Sequence, residues 1–285
     1  MRNRNSIVGL TLFALIVLAA VFGPMISPHS VGELSIHRLA APSMQNWLGT
    51  DLHGRDLLTR ILYGARISLL VGFVGATISL VVGVTYGLIA GYFGGRLDNA
   101  MMRGVDILYA LPRIVLVIVL ISLFDLKLKH ALDDTLLAPL ANHARLLLLF
   151  VGLGLVEWLT LARIVRAQVL SIKERPYVLS SRLIGQRTPT ILFRQILPQI
   201  LPIIMTYLTL ALPAVILEES FLSFLGLGVQ APLASWGTLL ADGAALLNPI
   251  STPWWLIVFP ALTLTSTLLL LNLLGDQLKL DKDSR

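Results

Sequence analysis

The chain of 285 residues is 56% hydrophobic and only 13% charged, and its mean hydropathy is +0.81. Soluble domains carry roughly 25% charged residues, so this composition excludes an ordinary soluble domain and favours a chain dissolved mainly in lipid. There is no cysteine, which excludes a disulfide framework and a thiolate metal site. The net charge of +6 arises mostly in connecting segments, so membrane topology explains it better than nucleic-acid binding does.

The N-terminal residues predict a membrane anchor. Two arginines precede an uncharged run from Ile7 to Pro28, and about 20 apolar residues cross a bilayer as a helix. We therefore expect residues 1–28 to form an uncleaved transmembrane anchor. A cleaved signal peptide is the alternative, because the small residues Ala19 and Ala20 follow a basic head and an apolar body.

A polar connection follows and extends to Arg66. It contains the motif-like run Trp47-Leu48-Gly49-Thr50-Asp51, then Gly54-Arg55-Asp56. We interpret it as a turn followed by an interfacial amphipathic helix from Asp56 to Arg66, with leucine and isoleucine facing the membrane. We prefer this interpretation to a ligand site.

Two further apolar runs predict the second and third spans. The second, from Ile67 to Tyr92, has small residues at three- and four-residue spacing, which indicates close packing against a neighbouring helix. The third runs from Val105 to Phe124 and is interrupted at Pro112. Arg113 lies one turn inside it, and we expect its side chain to snorkel to the cytoplasmic interface.

The fourth predicted span, Leu146 to Ile164, carries a carboxylate at Glu157 and follows a mixed-charge loop from Asp125 to Arg145. An ionisable group inside a membrane is a functional candidate. Glu157 is therefore a possible intramembrane polar site for a proton or a substrate. The alternative is a solvated carboxylate, or one paired with the arginines six and nine residues later.

The last part of the chain predicts two more spans. The fifth, Leu197 to Leu217, holds three prolines, which suggest a bent helix, and we expect Glu218-Glu219 to end it. A connection rich in glycine and proline follows from Phe221 to Trp255. The sixth span is expected from Trp254 to Gly275, where tryptophans suit the interface.

The distribution of Lys and Arg predicts the orientation. With six spans, fifteen of the 22 basic residues fall on the side of the two termini and of the segment from Arg163 to Arg194, and seven fall on the other. Positively charged loops face the cytoplasm, so we expect both termini to be cytoplasmic. The predicted organisation is an anchor (1–28), a periplasmic loop with an interfacial helix (29–66), a five-helix core (67–275) with a cytoplasmic loop at 170–198, and a cytoplasmic tail (276–285).

Several chemistries leave no trace in the sequence. No phosphate-binding loop of the G-x-x-x-x-G-K-[ST] type is present, so the chain carries no nucleotide motor of its own. Neither H-E-x-x-H nor G-x-S-x-G occurs, and the five histidines lack ligand spacing. We therefore expect no catalytic residues and no metal site.

Three patches carry a family resemblance. They are the run from Trp47 to Leu69, the segment from Tyr177 to Pro198, and SFLGLGVQAP-x-x-SWG from Ser223 to Gly237. With them the chain resembles, over nearly its whole length, the permease subunit of a bacterial ABC importer, of the dipeptide and oligopeptide permease C type. The resemblance implies an all-α membrane protein of six transmembrane helices, the type I importer permease bundle that is also called MetI-like.

In that family a cytoplasmic loop with the pattern E-A-A-x-x-x-G, followed by I-L-P, forms two short helices that dock on the ATPase subunit. Here two serines stand at the alanine positions, and the loop between the third and fourth spans, Asp125 to His143, is longer than usual. The ATPase-coupling residues that the resemblance implies are Tyr177, Ser180, Ser181, Gly185, Ile196, Leu197 and Pro198.

The resemblance also implies partners: a second homologous permease subunit, two ABC ATPase subunits that hold ATP and Mg, and a periplasmic substrate-binding protein. The chain itself is expected to bind membrane lipid, no cofactor and no nucleic acid, and to lie in the bacterial inner membrane. The expected cargo is a di- or oligopeptide. Open alternatives are nickel, a glycopeptide or an antimicrobial peptide as cargo, a proton-coupled secondary transporter that uses Glu157, and a membrane scaffold without transport.

Overall fold

The computed structural model is helical in the residues that it describes, which are 2–133, 135, 138–141, 143–247 and 252–283. Within these ranges the β interactions are limited to one isolated bridge between Thr50 and Asp56. The all-α prediction is therefore confirmed. The elements are α1 (Arg2–Ile26), α2 (Leu57–Phe93), α3 (Gly95–Tyr109), α4 (Arg113–Asp133), α5 (Ala138–Ala141), α6 (Ala144–Ile172), α7 (Pro176–Leu183), α8 (Thr188–Ile191), a π-helical turn (Leu192–Ile196), α9 (Leu197–Phe224), α10 (Trp236–Ala245) and α11 (Trp255–Asp283).

Membrane-spanning helices make up most of the described chain. Five segments are long and apolar enough to cross a bilayer: α1, α2, α6, α11, and the continuous run from α8 to α9. Helices α3 and α4 meet that criterion only together, and they are bent by 87° at the break between them. Counting the bent pair as one span gives six, which is the predicted number.

The centre of the bundle is the contact of α2 with α6, with α9 against both and α4 against the far side of α6. Glycines on one face of α2 make this contact close: a Cβ added at Gly87 would lie 2.6 Å from the carbonyl oxygen of Ala162, and one at Gly91 would lie 2.7 Å from Cβ of Val169. The prediction that the small residues of this span serve helix packing is confirmed.

The predicted interfacial helix from Asp56 to Arg66 is wrong as a separate element, because α2 runs without interruption from Leu57. Asp56 caps the helix N-terminus by accepting a hydrogen bond from the backbone N–H of Thr59 at 2.9 Å. No proline interrupts residues 57–93. Leu57 and Ile61 are buried in a cluster with Trp255, so this end packs on protein.

Helix α4 also differs from the prediction. The break at residues 110–112 separates two helices, since proline disfavours helical geometry at the residue before it, and Pro112 directly precedes the first residue of α4. The span expected at Val105–Phe124 therefore covers the end of α3 and the first part of α4, and α4 continues to Asp133 through what was predicted as a mixed-charge loop. Residues 134, 136, 137 and 142 of the longer loop lie outside the described residues.

The charged pair Glu218-Glu219 does not end the fifth span, which continues to Phe224. Glu219 is fully buried and accepts hydrogen bonds from the hydroxyls of Ser223 at 2.7 Å and Ser68 at 3.0 Å. These donors satisfy the carboxylate inside the bundle. The connection after α9 is also partly helical, since it contains α10.

Candidate functional site

The segment from Pro176 to Ile196 forms a compact helix–turn–helix at one end of the bundle. Helix α7 ends in a hydrogen-bonded turn: the N–H of Gly185 donates to the carbonyl of Arg182, and the N–H of Gln186 donates to that of Ser181, both at 3.0 Å. This pair of bonds is the Schellman arrangement, which requires a left-handed residue. Gly185 supplies it with φ of 78°.

One side of this segment is fixed to the bundle. Val178, Ile191 and Ile196 are buried in a cluster built around residues of α6 and α9. The side-chain amide of Gln195 donates to Ser181 Oγ at 2.6 Å and to Gln186 Oε1 at 2.8 Å. These contacts hold the two short helices together and leave Ser181 facing its own chain.

Several large apolar side chains of the same segment are exposed. Leu183 is 88% exposed, Ile184 75% and Phe193 58%. Leu179 and Tyr177 add smaller exposed surfaces beside them. We call the five residues the apolar docking face. Large apolar side chains grouped at one polar end of a membrane protein are typical of a protein contact surface.

A second polar centre lies inside the bundle at Glu157. Its Oε1 is 3.1 Å from Nη1 of Arg113, and its Oε2 accepts a hydrogen bond from the Tyr207 hydroxyl at 3.1 Å. Arg113 also donates to the hydroxyl of Tyr109 at 3.0 Å. Glu157 is therefore paired, and its partner is the first residue of α4.

The arginines that follow Glu157 on α6 pair with a different helix. Arg163 contacts Asp106 at 2.6 Å, and Nη2 of Arg166 donates to Asp98 at 2.6 Å. Both acidic residues belong to α3. The alternative in which these arginines pair with Glu157 is therefore wrong; they attach α3 to α6.

At the opposite end of the bundle, the loop before α2 is closed by buried ion pairs. Asp51 Oδ2 lies 2.7 Å from both Nε of Arg55 and Nη1 of Arg60. Arg60 also reaches Asp242 on α10 at 3.1 Å. Trp255 donates its indole N–H to the carbonyl of Thr50 at 3.3 Å. This motif-like run thus holds the loop on α10 and α11.

The charge state of Asp51 follows from these contacts. Burial alone would raise the pKa of its carboxyl group, but the backbone N–H of Arg55 and the charges of Arg60 and Arg55 outweigh burial and hold that pKa below its usual value. Asp51 is therefore ionised under ordinary conditions, and Arg60, whose side chain is 6% exposed, is neutralised by it.

Two protein-family models match parts of the chain. Residues 83–279 match the family of "binding-protein-dependent transport system inner membrane component", and residues 1–42 match the "N-terminal TM domain of oligopeptide transport permease C". The first match covers more than half of the sequence. The chain belongs to this family of inner membrane components.

Curated relatives of this inner membrane component align over almost all of it. The dipeptide transport system permease protein DppC of Bacillus subtilis is 42% identical over 279 residues, 98% of this chain and 81% of the relative. The oligopeptide transport system permease proteins OppC of Haemophilus influenzae and Escherichia coli are each 40% identical over 98% of this chain and over 84% and 86% of their own lengths.

A solved structure of the MetNI methionine ABC transporter in an inward-facing conformation has a similar fold. Its TM-score is 0.58 at 17% identity, and the alignment covers 76% of this inner membrane component and 93% of the solved chain. The comparison confirms the helical permease fold of the importer type that the sequence predicted.

The seven residues predicted to couple this inner membrane component to an ATPase differ in burial. Tyr177, Ser180, Gly185 and Pro198 are exposed. Ser181 and Ile196 are buried in the chain, and Leu197 is partly buried. Leu183, Ile184 and Phe193 were not among the predicted residues, and they are exposed in the same segment. Apolar residues in a charged polar segment are the sequence signal that would have singled them out.

Two polar residues of this inner membrane component make contacts that its sequence did not predict. Glu219 was treated as a helix end, and Arg113 as a snorkelling residue rather than as the partner of Glu157. Among the described residues no group of His, Cys, Asp and Glu is arranged to hold a metal ion.

Proposed function

We propose that this inner membrane component is the permease subunit of an ATP-driven importer that moves di- and oligopeptides across the bacterial inner membrane. The names of the relatives support the cargo, since all three are dipeptide or oligopeptide transport permeases. The observation that carries the coupling role is the apolar docking face on a segment fixed to the bundle.

In this proposal the segment from Pro176 to Ile196 transmits force from an ATPase subunit. The ATPase would cover Leu183, Ile184 and Phe193, and burial of such side chains stabilises a complex by about 1.5–3 kcal/mol each. Val178, Ile191 and Ile196 are buried among residues of α6 and α9, so movement of the segment moves these helices. Nucleotide-dependent contacts would thereby favour one packing of the bundle over another.

The proposed assembly supplies what this chain lacks. A second homologous permease completes the pathway, two ATPase subunits hold ATP and Mg, and a periplasmic binding protein delivers the peptide. The chain itself is non-catalytic, has no cofactor of its own and binds no nucleic acid. Both termini and the docking face are on the cytoplasmic side in this proposal, as the distribution of basic residues favours.

The test of coupling uses Leu183→Asp and Ile184→Asp in the complete importer. We expect each change to reduce co-purification with the ATPase and peptide-dependent ATP hydrolysis by about tenfold or more, because a carboxylate would be buried at the contact. Ile36→Asp is the matched control, since Ile36 is 90% exposed in the loop before α2. Unchanged association and hydrolysis in both docking variants would reject the coupling role.

A cargo assay separates peptide transport from its alternatives. Uptake of labelled di- and tripeptides, nickel, a glycopeptide and an antimicrobial peptide is compared in reconstituted vesicles with ATP and all partners. We expect peptide uptake that stops without ATP. Nickel uptake alone, or uptake driven by a proton gradient without ATP, would replace the proposal.

A further inference from the structure

A cavity lies at the end of the bundle opposite the docking face. The end of α4, the start of α6 and the segment 229–233 enclose about 460 Å³, a volume in the range of small-ligand sites, roughly 300–1,000 Å³. Its polar lining residues are Asp125, Lys129, His143, Arg145 and Gln230.

The lining carries more positive than negative charge. Lys129 and Arg145 face a single carboxylate among the lining residues, that of Asp125. Nη1 of Arg145 lies 3.8 Å from Oδ2 of Asp125, which is too far for a hydrogen bond. The ion pair therefore leaves most of the hydrogen-bonding capacity of the guanidinium available.

The donors of Arg145 point to an anionic ligand. Nη2 donates to the carbonyl of Gly226 at 3.3 Å. Nε is enclosed by protein without a hydrogen-bond partner in the described part of the chain, so a ligand would meet the guanidinium through its two Nη groups. A guanidinium presents its donors in a planar fork that matches the two oxygens of a carboxylate. Lys129 adds a second charge, and Gln230 and His143 add polar groups around it.

We propose that this cavity is a binding site for a carboxylate, and specifically for the C-terminal carboxylate of a peptide entering the pathway. Arg145 would bind the two oxygens, and Lys129 would offset the negative charge of Asp125 in the lining. The assignment of a peptide as the source of the carboxylate rests on the proposed function.

The position of the cavity suits a ligand that has not yet crossed the bundle. Helix α6 connects the two regions. Its first residue, Ala144, lies between the cavity residues His143 and Arg145 in the chain, and its last residue, Ile172, precedes the segment from Pro176 to Ile196. A helix of 29 residues spans roughly 43 Å at about 1.5 Å per residue. Site and docking face are therefore separated by about the thickness of a membrane.

Binding to the full chain in nanodiscs of zwitterionic lipid provides the direct test. Trialanine and trialanine amide differ only at the C-terminus, and their dissociation constants are measured by titration calorimetry. We expect trialanine to bind at least tenfold more tightly than the amide, because the amide lacks the charge that Arg145 and Lys129 recognise. Equal binding, or binding of neither peptide, would overturn the proposal.

Four variants locate the effect. Arg145→Gln and Lys129→Gln should each reduce the preference for trialanine by about tenfold, whereas Lys127→Gln, an exposed lysine of α4 outside the cavity, should leave the preference unchanged. Arg145→Lys keeps the charge without the fork and should give an intermediate preference. If Arg145→Gln does not fold, Lys129→Gln on the exposed face of α4 still decides the outcome.

Two further measurements are needed. One distinguishes a peptide carboxylate from a lipid phosphate as the ligand, and the other tests the importer function separately from the cavity. Adding phosphatidylglycerol to the discs tests a lipid phosphate: if this lipid displaces trialanine in a manner that depends on Lys129, the site binds lipid and the peptide assignment is wrong. ATP-dependent uptake of both peptides tests the function separately. Uptake without any acid preference in the binding assay refutes only the cavity, and binding without uptake refutes only the importer.

Discussion

The two ends of the bundle use their polar and apolar residues in opposite ways. At the start of α2, Asp51 of the preceding loop and Arg60 of the helix have side chains only 4% and 6% exposed and pair with each other. In the segment from Pro176 to Ile196, Leu183 and Ile184 are 88% and 75% exposed. The first region pairs its charged groups within the chain, and the second leaves large apolar side chains exposed.

This difference separates two kinds of motif. The run from Trp47 to Asp56 is the most motif-like stretch of the sequence, yet its polar groups form hydrogen bonds and ion pairs within the chain. The segment from Pro176 to Ile196 follows its family pattern less closely, yet Leu183 and Ile184 before its turn are exposed. A motif therefore indicates a partner only when its side chains remain accessible.

The largest expected effect is on the buried ion pairs. Asp51→Asn removes the charge next to Arg60 and leaves that buried guanidinium with the half-exposed Asp242 alone. Breaking a buried pair in this way costs about 3–5 kcal/mol. We expect a corresponding loss in the free energy of unfolding, measured by chemical denaturation of the purified chain in detergent.

The control for this change is Arg38→Gln, since Arg38 is exposed in the same loop; it should shift stability by less than about 0.5 kcal/mol. The pKa of Asp51 is lowered in the fold, so its contribution is complete above the unfolded pKa of about 3.9 and is lost as the pH falls through the folded pKa. Stability of the unmodified chain should therefore fall below about pH 4, and less so in Asp51→Asn.

A smaller effect is expected at the intramembrane pair. Glu157→Gln removes the charge facing Arg113 but keeps an oxygen that accepts the hydrogen bond from Tyr207. Because the Arg113 side chain is 39% exposed and partly solvated, we expect a loss of only about 1–2 kcal/mol. ATP-dependent uptake should stay within about twofold of the unmodified importer.

Glu33→Gln, a change at an exposed carboxylate in the loop before α2, is the matched control for this variant. Complete loss of uptake in Glu157→Gln, with folding intact, would instead support the proton-coupled alternative. It would also remove the contrast between a bundle with paired charges and an accessible docking face.

The smallest effect is expected at Gly185. Its left-handed φ of 78° costs an alanine about 1 kcal/mol, and asparagine tolerates the conformation better. We expect Gly185→Ala to weaken ATPase association more than Gly185→Asn, measured by co-purification. If the larger asparagine is the more damaging, close approach of the ATPase and not turn geometry determines this position.

The spans were predictable from the sequence because lipid tolerates few charges and requires helices whose backbone is satisfied internally. The small residues of α2 were predictable for the same reason: their spacing places them on one face. The interfacial helix was predicted wrongly, because the apolar residues at its start pack on Trp255, nearly 200 positions later. Amphipathic pattern alone does not distinguish lipid from protein as the neighbour.

The polar contacts inside the bundle were not predictable in detail. Arg113 and Glu157 are 44 residues apart, and Arg113 begins α4 just after the chain has bent by 87° from α3. Glu219 is satisfied by Ser68, which is 151 residues away. The sequence shows that such groups need partners, but the choice of partner depends on helix directions that local patterns do not encode.

The glycines between α2 and α6 also determine how the bundle can move. At Gly83, Gly87 and Gly91, residues of α6 occupy the space that a side chain of α2 would need. A Cβ added at Gly83, for example, would lie only 2.9 Å from Cβ of Leu161. Sliding by one residue would bring side chains of α2 against the backbone of α6. The close fit therefore opposes sliding of α2 along α6, and it favours movement of the two helices together.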